Sequence, residues 1–268
     1  MQGDAYFQQP PRKIKKFDKP VLSSVPRPAA GHFKCLVVFG LFTHILNLDD
    51  ALADWKAAGK FPVEFTFVNC PPNGVEKFPG TYDELFSYNV IVLSDVNYKA
   101  LGDIGFEMIC DYVEQGGALL VTGGPYAFGN GEFEDSRFLE VLPTRLSGPF
   151  DLKWAGKDKS WPLSATDHPI ARGLSFNQTP RVYWQHFLTP KDGARTTLEA
   201  GDHPALIVGR YGKGRVATLA LSPMGSPKKG ETAWWAWNDW PQLLKNIFTW
   251  MSETVFSVRD PMMNKQNT

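Results

Sequence analysis

The sequence predicts one α/β domain with a mostly parallel central sheet and an added β-rich hairpin region. Three observations carry that expectation. Four short apolar runs alternate with helical segments between residues 34 and 122, few helical signals occur in the second half, and a glycine-bounded turn lies near residue 213. Strands covered on both faces read as unbroken aliphatic runs, whereas half-exposed strands alternate.

Cys35-Leu36-Val37-Val38-Phe39 ends at Gly40 and reads as the first strand. A helix is expected from about Asn47 to Ala58, stopped by Gly59, and Val63 to Val68 reads as the second strand before Pro71-Pro72. A short helix near Tyr82 to Ser87 leads to a third strand, Val90 to Leu93, with Asp95 at its carboxyl end. From Leu101 to Gln115 the residues Leu101, Ile104, Met108, Tyr112 and Val113 recur at helical spacing, and Gly116-Gly117 supply a stop. Ala118 to Val121 is the fourth strand, closing on Gly123-Gly124. This alternation implies parallel strands joined by right-handed crossovers, with ligands at strand carboxyl ends.

In the second half, Arg181 to Leu188, Ala205 to Tyr211 and Arg215 to Leu221 are β-like. The last two flank Gly212-Lys213-Gly214 as a hairpin whose second arm is expected to rejoin the main sheet. A final helix from Trp240 to Trp250 aligns Leu243, Leu244, Ile247, Phe248 and Met251 on one stripe. The expected organisation is an N-terminal arm over 1–33, a domain over 34–254 and a polar tail over 255–268. The arm contains Pro10, Pro11, Pro20, Pro26 and Pro28 and a lysine-rich run, and too little apolar surface to pack alone.

Lysine plus arginine and aspartate plus glutamate both number 28, so no overall field gathers nucleic acid or an anionic membrane. No apolar run approaches the roughly 18 residues of a membrane helix, and the first 20 residues lack the apolar core of a signal peptide. Cys35, Cys70 and Cys110 are too few and scattered for a disulfide framework or a thiolate metal site. The expectation is a cytoplasmic protein with no cofactor and no metal.

Several phrases occur in a familiar order: VVFGLFTHI, VLSDVNYKAL, YVEQGGALLVTGGPYAFGNGEF followed by FLEVLPT, TDHPIARGL, ALIVGRYGKGRVATLALSP and WWAWNDWPQLLKNIFTW. Together, over residues 34 to 252, they resemble the class I glutamine amidotransferase-like superfamily. The resemblance implies a flavodoxin-like three-layer sandwich. It also implies a reaction in which a cysteine on a strand-to-helix turn attacks an amide, with a histidine as base and a glutamate orienting it. The positions comparable to that triad read differently here. The late strand runs into Ser222-Pro223-Met224, and the turn after the fourth strand reads Thr122-Gly123-Gly124-Pro125-Tyr126. The expectation is a member without glutaminase activity, a pseudoenzyme acting as a ligand-binding or assembly module.

Strand carboxyl ends should gather Thr43, His44, Asp95, Asn97, Gly123, Gly124, Tyr126 and Ser222 into a polar rim. The catalytic candidates are His44, as a general base near neutral pH, and Asp95, as its orienting carboxylate or a substrate ligand; this is the alternative reading, a hydrolase. Each has a plainer reading, His44 as a hydrogen-bond partner at a helix start and Asp95 as a cap. The glycines Gly123, Gly124, Gly129 and Gly131 permit close backbone approach to a ligand. His168, His186 and His203 share no metal-ligand spacing. Trp234, Trp235, Trp237 and Trp240 offer faces on which a sugar could stack, but their place beside the last helix favours packing or a subunit interface. The expected partners are a small-molecule ligand and a second copy of the chain or another protein.

Overall fold

A computed structural model describes residues 33–41, 43–48, 63–69, 75 and 77–256. The helix expected over 47–58 lies outside the described residues beyond position 48, as do Cys70, most of the arm and the tail from residue 257. Strands β1 (Phe33–Phe39), β2 (Val63–Asn69), β3 (Val90–Ser94) and β4 (Ala118–Thr122) alternate with helices α1 (Tyr82–Phe86) and α2 (Tyr98–Glu114). Helix α3 (Phe138–Val141) follows, then β5 (Thr144–Leu146), β6 (Leu152–Trp154), β7 (Trp161–Ala165), β8 (Arg181–Val182), β9 (Trp184–His186) and β10 (Leu188–Pro190). The chain continues through β11 (Arg195–Ala200), β12 (His203–Tyr211), β13 (Gly214–Leu219) and β14 (Leu221–Ser222) to helix α4 (Trp240–Phe256).

The nine-stranded main sheet has the order β2-β1-β3-β4-β13-β12-β11-β7-β8. The pairings from β2 through β13 are parallel, and every pairing from β13 through β8 is antiparallel. A two-stranded and a three-stranded sheet stand apart, and the described residues contain only four α-helices. The expected flavodoxin-like three-layer sandwich with a mostly parallel sheet is therefore wrong. The reason lies in the connections. A parallel neighbour needs a long crossover, whereas β13, β12, β11 and β7 are joined by tight turns or reached by returning loops that allow antiparallel pairing. The β12–β13 hairpin is not an addition either. It sits inside the main sheet, with Gly212 at φ 54° and a would-be Cβ 2.5 Å from Glu114 O.

Strands β1, β3 and β4 are buried on both faces, which explains their unbroken apolar runs. Cys35, Val37, Val92 and Leu120 join the cluster under α4, including Leu243, Leu244, Ile247, Phe248 and Met251. Leu36, Val38, Ile91, Leu93 and Val121 face Phe106, Ile109, Tyr112 and Val113 of α2. Ile104, expected on that inner stripe, is 60% exposed. Gly102 adopts φ 66° and ψ −178° inside α2, and this break in helical phase, two residues before Ile104, takes that side chain off the inner stripe. Arg137 then ties α2 down, donating to Glu107, Asp111 and Glu114 at 2.7, 2.8 and 2.9 Å.

The run Arg181 to Leu188 divides into β8, β9 and β10, which belong to three different sheets. Strands β5, β6, β7 and β11 carry weak sequence signals because they are short or polar on one side. The tryptophan cluster packs inward. Trp234, Trp237 and Trp240 are buried, and the Trp240 indole N–H donates to Leu46 O at 2.7 Å.

Candidate functional site

The carboxyl ends of β3, β4 and β13 meet in one polar cluster. Asp95 follows β3 directly, is 2% exposed and holds φ 55°. A left-handed backbone is costly for a residue with a Cβ, and such positions concentrate at functional turns. Asp95 Oδ1 accepts from the Tyr126 N–H at 2.6 Å, and the Leu41 amide also faces the carboxyl group. Oδ2 is buried and completes no hydrogen bond among the described residues. Burial outweighs both amides and pushes the carboxyl up to about 6.

Gly124 separates this carboxyl from a buried histidine. A Cβ on Gly124 would lie 2.2 Å from Asp95 Oδ1, so only glycine fits. On its other side, His186 Nε2 lies 3.0 Å from Gly124 O and 3.3 Å from Gly124 N. His186 Nδ1 lies 2.8 Å from Asp151 Oδ1, and Asp151 Oδ2 accepts from the Gly129 N–H at 3.1 Å. Both side chains are wholly buried, with the imidazole edge-on to Phe128 at 4.7 Å. Both ring nitrogens therefore have partners, Nδ1 on the Asp151 carboxylate and Nε2 on the Gly124 backbone. The pair has the orientation of a catalytic base and its orienting acid, but its outer nitrogen is engaged by backbone and faces no solvent. It props the 123–129 loop.

The rim expected from sequence is brought together in part. Asp95, Gly124 and Tyr126 touch, and Gly123 packs with its would-be Cβ 2.7 Å from Leu221 O and 2.9 Å from His186 Cδ2. Ser222 follows Leu221, wholly buried, and its hydroxyl has no partner among the described residues. Asn97 caps α2, accepting from the Lys99 N–H at 2.8 Å. Thr43 and His44 lie on a 3-10 turn, where His44 is exposed and makes no hydrogen bond to Asp95 among the described residues. The close approaches of Gly129 and Gly131 are to Gly148 O and Tyr126 O of the chain itself.

His186 and Asp151 were missed from sequence. They stand 35 positions apart, on β9 and in the loop before β6, with no motif linking them. Cys35 lies within β1 and Cys110 inside α2, and burial pushes both thiols up, away from the nucleophilic thiolate. No cluster of three or more His, Cys, Asp or Glu placed for a metal ion occurs among the described residues. No helix among them is long and apolar enough to cross a membrane.

The architecture recurs in solved structures. The cytoplasmic protein STM3548 of Salmonella typhimurium superposes with a TM-score of 0.66 at 20% identity, covering 82% of this chain and 98% of that one. The cytoplasmic protein STM1381 of Salmonella typhimurium LT2 gives 0.64 at 21% identity, with 82% and 99% covered. A β-galactosidase from Rahnella sp. R3 gives 0.51 at 13% identity, with 86% of this chain matched to 32% of that enzyme. These likenesses concern the fold alone. No curated protein sequence matches the chain. The GATase1_like family model, described as "Putative glutamine amidotransferase", matches residues 31–253, and the chain belongs to that family.

Proposed function

We propose that this chain is a family member without glutaminase activity that binds a small polar ligand at the ends of β3 and β4. One observation carries the reading. The strained, buried turn after β3 presents a carboxyl group, Asp95, with one oxygen anchored and the other unpartnered among the described residues. A carboxyl pushed up to about 6 serves as either donor or acceptor near neutral pH, which suits recognition of a ligand's amide or hydroxyl. Amide hydrolysis by the family's chemistry needs a thiolate beside a free imidazole. Cys35 and Cys110 are buried away from the turn, and the Nε2 of His186 is engaged by Gly124. The cytoplasmic names of the two Salmonella proteins support a cytoplasmic placement.

Incubation with L-glutamine is expected to release no ammonia above buffer, in the natural chain and in Cys70→Ala alike. Release that disappears in Cys70→Ala would overturn the reading. Native mass spectrometry of the same preparations is expected to show a small-molecule adduct that Asp95→Asn reduces. Spectra identical for the two proteins would remove Asp95 from recognition.

An assembly role is favoured by a separate feature. Phe150 is 70% and Trp154 53% exposed at edge strand β6, where Trp154 stacks on Trp184 at 6.0 Å. Exposed clustered aromatics mark contact surfaces. Light scattering is expected to show an oligomer that Trp154→Ser weakens, and a monomer in both proteins would eliminate this role.

A further inference from the structure

A second cleft, of about 450 Å³, opens away from Asp95 where β11 and β12 meet the loop after α3 and the last helix. Its floor follows from strand register. Arg195 pairs with Val208, and Arg210 pairs with Arg215. Cross-strand partners share a face, as do residues two apart on one strand, so Arg195, Val208, Arg210 and Arg215 all lie on one side of the sheet. Val208 belongs to the core cluster beneath α4, and the guanidinium groups of the three arginines stand on the same face.

Arg215 is held from the other side. It sits 5.2 Å from the Trp250 ring centroid and donates to Trp250 O. Lys191 is anchored to the carbonyls of Leu139 and Glu140, and burial together with nearby Arg145 lowers its ammonium from the ordinary value. Gly193, in the turn between Lys191 and Arg195, has φ 79° and no atom within 4 Å of a would-be Cβ, which leaves room beside Arg210. Against these cations the lining offers Glu140 and Asp192, and Asp192 already lies 3.8 Å from Arg145. Arg195 and Arg210 are exposed, and their side chains make no hydrogen bond or ion pair among the described residues. Two uncommitted guanidinium forks in a concave site, with a fixed third arginine behind them, offer paired donors in the geometry that planar and tetrahedral oxyanions match. In a chain whose charges balance overall, the concentration is local.

We infer that this cleft is a binding site for a compact, multiply charged anion of the phosphate type, held bidentately by Arg195 and Arg210. Arginine forks match tetrahedral phosphate oxygens in pairs, and the volume accommodates a phosphorylated small molecule rather than a polymer. The site is independent of the Asp95 cluster, so Asp95→Asn should leave it unchanged.

Inorganic pyrophosphate is the probe, titrated calorimetrically into the full chain at constant ionic strength, with malonate as a carboxylate dianion of similar charge. Saturable pyrophosphate binding is expected, weakened about tenfold by Arg195→Gln and by Arg210→Gln, since losing a charge-assisted bidentate contact is worth about that factor. Arg210→Lys, which keeps the charge and loses the fork, should fall between. Because both arginines are exposed, thermal melts of these variants should match the natural chain. No saturable heat, undiminished binding in the double variant Arg195→Gln/Arg210→Gln, or equal affinity for malonate would each overturn the assignment.

Discussion

Asp151→Ala is expected to lower the unfolding free energy by about 3–5 kcal/mol, the range for stripping one partner from a buried pair. Two wholly buried donors depend on this carboxylate, His186 Nδ1–H through Oδ1 and the Gly129 amide through Oδ2. Neither donor can turn to water. Asp151→Asn keeps one acceptor and sets an amide donor against the other, so its loss should be about half as large. Urea unfolding at neutral pH measures both. Equal stability of Asp151→Ala and the natural chain would show that the His186–Asp151 pair does not hold the loop. The loss should reach the candidate site as well, because Gly124 and Gly129 are the backbone anchors of that pair.

Asp95→Asn should act in the opposite direction and only above mildly acidic pH. Burial raises the folded carboxyl from an ordinary value of 3.8 to about 6. The folded state therefore binds the proton more tightly than the unfolded chain. Its contribution is fully present below about pH 4 and is lost as pH rises through 6. Asparagine does not titrate and keeps an oxygen for the Tyr126 amide. The stability of the variant relative to the natural chain should consequently rise by about 2–3 kcal/mol between pH 4 and pH 7.5, from the two-unit shift. Thermal or urea unfolding across that range reads the slope. A difference independent of pH would mean that the carboxyl is not held above its ordinary range. A group kept at such a cost is a reasonable place to look for ligand contact, since stability and function trade at such sites.

These expectations rest on different depths of sequence information. Strands β1, β3 and β4 were legible because each is buried on both faces and written as an apolar run. The inner stripe of α4 was legible for the corresponding reason, with Leu243, Leu244, Ile247, Phe248 and Met251 all in the core. Asp95 could be picked out because it follows such a strand. Its left-handed backbone, its buried oxygen and its contact with Gly124 could not be, since they depend on where the loop after β4 returns.

The sequence by itself determined the family, the parallel strands and the hairpin at Gly212. Local physics suffices there, because burial pattern and turn chemistry are written in neighbouring residues. Only the tertiary structure decided that the sheet is half antiparallel, that His186 meets Asp151, and that Arg195, Arg210 and Arg215 share a face. Those facts follow from register between segments far apart in the chain. Register is set by the packing of the whole sheet rather than by the composition of any one strand.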